Sequence, residues 1–341
     1  MKKFIVIISF FCCVFQTTWG QDIHLSQFTE TPILRNPALM GIFTGDIRLQ
    51  AVYRNQWNSV TIPYQTGTLS GEVKYPVGKN NDYVTAGMQL TYDKAGTSSL
   101  QAVQVLPAVN YHKSLSADFT RYLSVAFMAG IVQRQFDPLA LTFDNQYTNG
   151  RYDPTMPTGE EGSWKVAGYQ YFDVGFGISY NSTFGENANY YLGLAYYHFN
   201  RPKVSFYDNA SVTLAPKITF NAGVSVPMGE RSKLIAHYNQ LHQGSYQEFM
   251  GGLMIGYSLF EDGYSSDHGF YGGVFYRYND AVVPMVRLDM GVYEIGLSYD
   301  VNVSKLVAAS HSMGGFEISL VYKDFFKKRS STYNSTACPR F

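Results

Sequence analysis

From Ile47 to Lys323 apolar side chains recur at every second position, in long runs separated by turn residues, and few folds tolerate that pattern. In Arg121–Gln133, Leu123, Val125, Phe127, Ala129 and Ile131 alternate with Tyr122, Ser124, Ala126, Met128 and Gly130. In Gly168–Tyr180, Phe172, Val174, Phe176 and Ile178 oppose Tyr171, Asp173, Gly175, Gly177 and Ser179. Tyr83–Asp93, Tyr293–Asp300 and Phe316–Lys323 repeat the rhythm. Successive side chains on a strand point to opposite faces, so each run has one greasy and one polar side.

Such strands belong either to a soluble sheet covered on one face or to a barrel with lipid outside and water inside. Length separates the two. Strands of soluble proteins usually hold about 5–6 residues, whereas a tilted strand crossing a bilayer needs about 9–11. These runs match the longer class. Many begin or end in an aromatic residue, among them Tyr83, Tyr92, Tyr122, Tyr180, Tyr278 and Tyr322. Amphipathic rings favour the headgroup level and form girdles at both interfaces. The polar faces carry Gly, Ser and Thr. Composition agrees: 16% of the 341 residues are aromatic and 15% charged, with 31 glycines, which excludes a disordered chain. Basic and acidic residues balance at 26 each, so the footprint of a nucleic-acid binder is missing. A membrane helix needs about 18 apolar residues in a row, and the longest run, Phe4–Phe15, is shorter.

That run follows Met1-Lys2-Lys3 and precedes Thr18-Trp19-Gly20, the basic, apolar and small-residue order of a signal peptide over residues 1–20. Cleavage removes two lysines and no acid, taking the net charge from 0 to −2. It also removes Cys12 and Cys13 and leaves Cys338 alone, so no internal disulfide framework is expected.

The expected architecture is all-β: a transmembrane antiparallel β-barrel of about 14 strands. Strands fall at 47–54, 64–75, 82–93, 99–112, 121–134, 168–180, 189–199, 217–227, 231–240, 246–257, 268–278, 281–289, 291–300 and 314–323. An N-terminal periplasmic or plug-like segment (21–45) precedes the barrel (46–323), and a periplasmic tail (324–341) follows it. The longest connection, 136–165, and those at 200–216 and 301–313 are odd-numbered. Outer loops are the longer ones in such barrels, so both termini are expected in the periplasm. Connection ten, 260–268, departs from the rule.

No catalytic constellation emerges. The histidines show one close pair, His237 and His242, whose odd spacing puts them on opposite strand faces. No metal, cofactor or catalytic residue is assigned. The Gly251-Gly252 and Gly272-Gly273 pairs sit inside strands without the helix a phosphate loop requires. Asp173, Glu294, Asp300 and Glu317 share the polar phase and are expected to line the lumen. The loop from Asp137 through Glu161 is rich in acids and amides but lacks the spacing of a calcium loop; it reads as a folded recognition loop.

Several segments resemble the PorP/SprF family. They are Gln21 to Gly41, Ile47 to Trp57, Phe136-Asp137-Pro138, Leu141 to Gln146, Gly296 to Ser304, Gly314 to Leu320 and the ending Cys338-Pro339-Arg340-Phe341. The resemblance implies an outer-membrane protein of Bacteroidota tied to type IX secretion and gliding motility. The partner it implies is the C-terminal domain of a secreted adhesin or other type IX substrate, which the barrel helps to export or anchor. Periplasmic secretion-ring or peptidoglycan-binding subunits are the alternative partners. Neither role is enzymatic. Partner contact is assigned to the outer-rim residues Arg54, Gln56, Trp57, Phe143, Asp144, Tyr147 and Trp164, since aromatic and Arg side chains are frequent interface anchors. A passive porin or small-solute transporter is the competing reading.

Overall fold

The structure is a computed structural model. It describes residues 22–326 except 59, 79–80, 119, 161–166, 186–187, 208–210, 260–267 and 306. The expected signal peptide, Trp164 and most of the C-terminal tail lie outside the described residues.

Fourteen strands close into one antiparallel barrel. They are β1 (Ile47–Gln56), β2 (Tyr64–Val77), β3 (Asp82–Ala95), β4 (Leu100–Ser114), β5 (Arg121–Gln135), β8 (Gly168–Phe184), β9 (Ala188–Tyr197), β10 (Lys217–Pro227), β11 (Ser232–Gln243), β12 (Tyr246–Ser258), β13 (His268–Arg277), β14 (Ala281–Met290), β15 (Tyr293–Asn302) and β16 (Met313–Asp324). Each pairs with its neighbour in the chain, and β1 closes on β16 with Ile47 opposite Asp324 and Gln56 opposite Gly315. A two-strand hairpin, β6 (Tyr147–Thr148) and β7 (Arg151–Tyr152), stands apart in the longest connection. Sequence patterning did not anticipate it, because two residues per strand cannot display a period.

The alternation resolves into an inverted protein. In β5 the outward Val125, Phe127 and Ile131 are each more than half exposed, while Ser124, Ala126 and Met128 are buried inside. Phe172, Phe176 and Ile178 of β8 and Phe316, Ile318 and Leu320 of β16 also face outward. The inner face buries Gln50, Arg54, Thr68, Glu72, Gln89, Asn110, Asn221 and Glu317. Lipid, not a second layer of protein, is the solvent that this arrangement suits.

We call the rim where β1 starts and β16 ends the near rim, and the opposite one the far rim. The long connections 136–167, 198–216 and 303–312 are on the far rim, although 96–99, 244–245 and 278–280 there are tight. The near rim carries 78–81, 185–187, 228–231 and 291–292, and also the longer 259–267. β8 runs on to Phe184, past the expected end at 180, and β9 stops at Tyr197 rather than 199. The early stop has a local cause. His198 adopts φ 57° and turns the chain into the barrel mouth.

Candidate functional site: the luminal segment and the far-rim loops

A barrel of eight strands is filled by its own side chains, and one of sixteen leaves a water channel. Fourteen strands leave space that side chains alone cannot fill. Here the chain occupies much of it, leaving a cavity of about 340 Å³ lined by Thr29, Arg35, Arg287 and Lys323. Residues 22–46 run through the lumen from the far rim to the near rim before entering β1, with short helical turns at Phe28–Glu30, Pro32–Arg35 and Pro37–Leu39. Leu25, Phe28, Ile33, Ala38, Leu39, Met40 and Phe43 are all buried. Ile33 and Met40 join Leu106, Met128, Tyr171 and Tyr197 of the wall in one apolar cluster, and Phe28 joins Ile235, Met254 and Phe275 in another.

Polar contacts fix the segment at four levels. At the far rim Asp22 Oδ2 lies 2.8 Å from His198 Nε2 and 2.6 Å from Lys217 Nζ. The other imidazole nitrogen, His198 Nδ1, lies 2.8 Å from Asp173 Oδ1. Burial alone would push the Asp22 carboxyl up, but His198 and Lys217 hold it well below the usual carboxylate range. Burial also opposes a charge on His198, yet its two carboxylate neighbours raise it from 6.5 to about 9. One level down, Ser26 and Gln27 donate their backbone N–H groups to the Glu317 carboxylate, Gln27 at 2.7 Å. The Ser26 hydroxyl donates to Asp300 and accepts from Arg54 and Arg277. Arg54 bonds Glu317 and reaches Asp300 at 2.9 Å; Arg277 reaches the same Asp300 oxygen at 3.0 Å. Two guanidinium and two carboxylate groups thus surround one serine, every member nearly inaccessible to solvent. Deeper still, Asn110 donates to the Ala38 and Met40 carbonyls at 2.9 Å. Near the other rim, the Gly41 N–H donates to Glu72, which is itself paired with Arg48 at 2.7 Å.

The small residues on the polar faces make room for this segment. A Cβ at Gly193 would lie 2.6 Å from Asn36 Nδ2, and one at Gly296 would lie 2.6 Å from Gln27 Oε1. Neither position admits a side chain without moving the Asn36 or Gln27 amide from its place.

Residues 17–322 match the family model described as type IX secretion system membrane protein PorP/SprF. The chain belongs to the PorP/SprF family. As a member with a closed barrel and an apolar exterior, it is an outer-membrane protein. A search of curated proteins found no match. Among solved structures, the CymD monoaromatic hydrocarbon channel is similar at 11% identity and TM-score 0.47, covering 87% of this chain and 93% of that one. The NanC porin is similar at 9% identity and TM-score 0.39, covering 81% and 99%. CdiB from Acinetobacter baumannii is similar at 9% identity and TM-score 0.42, covering 81% and 60%. Likeness at this level carries no argument about function.

Within this PorP/SprF barrel the residues assigned to partner contact separate into three groups. Arg54 is on the last turns of β1 but points into the lumen, 2% exposed, where it serves the ionic cluster. An outward anchor at that position is thereby corrected, because the luminal phase of β1 and two buried carboxylates claim the side chain. Gln56 accepts a hydrogen bond from Arg54 Nε at 3.3 Å. Trp57, half-buried at φ 61°, bonds its N–H to the Gly314 carbonyl and sets its ring 4.8 Å from that of Tyr64. Phe143, Asp144 and Tyr147 lie together in the long far-rim loop, Asp144 exposed and Tyr147 64% exposed. The loop is ordered around buried Gln146, whose side chain accepts from the Phe143 N–H and donates to the Met156 carbonyl at 3.2 Å each. Among the described residues no hydrogen bond or ring pair joins this group to Gln56 and Trp57.

The two ends of the described chain lie at different rims. β1 and β16 leave by the near rim, but Asp22 is bound at the far rim. The ends of the sheet share a rim, and the ends of the described chain do not. Sequence reading placed Asp173, Asp300 and Glu317 in the lumen correctly. It missed Asp22, Ser26, Gln27, His198, Lys217 and Arg277. Cations in the same phase as the flagged acids were the available signal.

Proposed function

We propose that this barrel is a non-enzymatic component of type IX secretion that captures a secreted partner protein, through the C-terminal domain of an adhesin-type substrate, and helps to export or hold it at the surface. The observation that carries the reading is the luminal segment. A pathway for solutes needs a continuous aqueous passage, and residues 22–46 occupy much of that space with buried side chains and ion pairs. Function then falls to the rims. The long connections favour an outward far rim, with Gln56, Trp57, Phe143, Asp144, Tyr147 and Trp164 contributing to the capture surface. The near rim then faces the periplasm, where secretion-ring or peptidoglycan-binding subunits can reach it.

Two measurements test this. Purified protein in a planar bilayer is expected to show no steady open-pore current; stable channels would favour the porin reading. Affinity purification from the native host is expected to recover a type IX substrate, and its absence would overturn the capture role.

A further inference from the structure

The barrel wall has a step at the far rim. β8 pairs with β5 along its full upper length, Gly168 opposite Gln135, but β9 joins it only from Gly175, opposite Tyr197. The residues shared with β9, Gly175 to Phe184, already provide the roughly 9–11 needed to cross a bilayer. Gly168 to Val174 therefore extend past that span toward the far rim, with no strand paired on one side among the described residues. After Tyr197 the chain turns inward at His198, whose ring is held by Asp22 and Asp173. The loop beyond packs Val204 and Leu214 against the luminal cluster and sets Phe206 4.8 Å from the Tyr169 ring. It occupies the mouth, and among the described residues none of its backbone groups bonds the β8 edge before Val174.

The hydrogen-bonding phase of that edge follows from two contacts. Phe199 N–H donates to the Val174 carbonyl at 3.1 Å, and the Asn200 amide donates to the Phe172 carbonyl at 2.5 Å. Even-numbered residues thus direct their backbone groups away from β5. Gln170 N–H, Gln170 C=O and Phe172 N–H share this edge, and among the described residues no backbone bond from the loop reaches them. Phe172, 54% exposed, stands on the outer face beside them. A row of donors and acceptors at two-residue spacing is satisfied by an extended chain and by no other secondary structure.

We propose that the edge of β8 from Gly168 to Phe172 is a strand-addition site for an extended peptide segment of a partner protein. This rests on the capture reading and supplies its binding mode: backbone hydrogen bonds give affinity, and alternate partner side chains lie along Phe172. Asn200 guards the edge by capping one carbonyl.

The test uses the full-length chain in its native host with p-benzoylphenylalanine as the photo-crosslinking probe at position 170, 172 or, as an off-site control, 139. Positions 170 and 172 are expected to crosslink to one contiguous partner segment at points two residues apart. Gln170→Pro deletes the edge N–H while sparing the β5 ladder, and should cut crosslinking from position 172 at least tenfold; Gln170→Ala should not. Asn200→Ala, which touches no strand pairing, should raise it, and serves if the proline variant fails to fold. Unchanged crosslinking in both Gln170→Pro and Asn200→Ala, or crosslinks without the two-residue step, would overturn the proposal. Crosslinks from position 139 alone would sink strand addition and leave capture standing; no partner at any position would sink capture itself.

Discussion

Replacing Arg54 by Met should unsettle the barrel more than any surface change of equal size. Arg54 holds Asp300 at 2.9 Å, Glu317 and the Ser26 hydroxyl, and its own side chain, Asp300 and Glu317 are all almost fully buried. Without it, the two buried carboxylates are left with the guanidinium of Arg277, which of the two reaches only Asp300 and already pairs with Asp280. Removing one partner of a buried pair strands a desolvated charge and costs about 3–5 kcal/mol. The loss should appear as a lower denaturant midpoint in detergent micelles, and as a lower temperature at which the compact band disappears on an unheated gel. Arg54→Met combined with Glu317→Gln restores one charge of each sign and should recover much of the loss. A single variant losing less than about 1 kcal/mol, the level of an exposed ion pair, would refute the reasoning. So would a double variant no more stable than the single one.

Three further perturbations probe the luminal segment and the lipid face. His198 is raised above its ordinary value, so its contribution is complete below pH 6.5 and is lost as pH rises through about 9. Bilayer current through the wild type should therefore grow between pH 8 and about 10, and His198→Gln should abolish that dependence; a flat wild-type profile would count against a charged latch. Gly296→Leu drives a side chain into Gln27 and should cost about 1–3 kcal/mol as overpacking, with increased conductance if the segment is expelled; unfolding midpoint and current both report it. Phe127→Arg on the outer face of β5 should cost about 2–4 kcal/mol in a bilayer, and a neutral result in lipid vesicles would contradict a lipid-facing assignment.

The barrel was legible because its pattern is local. Each strand announces its two faces through residues such as Val125 against Ser124, and the strand ends follow from turn residues. The luminal segment was not legible in the same way. Residues 22–46 have no period, since a chain lying inside a barrel meets protein on every side and alternates toward nothing. Its partners are spread over most of the barrel's strands, from β1 to β16, and no local rule links Ser26 to Glu317. Arg54 shows the limit most clearly. Its type and its place near a rim suited an interface anchor, and only its phase along β1, paired with that of Asp300 and Glu317, assigns it to the interior. The hairpin at Tyr147–Tyr152 and the inward turn at His198 depend on single backbone conformations that composition does not encode.

The position of Ser26 and Gln27 bears on how the barrel is completed. The β1–β16 contact closes the longest loop of any strand pair in the barrel, Ile47 to Asp324. Ser26 and Gln27 touch both sides of that seam: Arg54 on β1, and Glu317 and Ser319 on β16. The N-terminal segment therefore works as a clasp, tying the first and last strands together from within across the seam where the sheet closes on itself. The residues that fill the wall are also residues that fasten it shut.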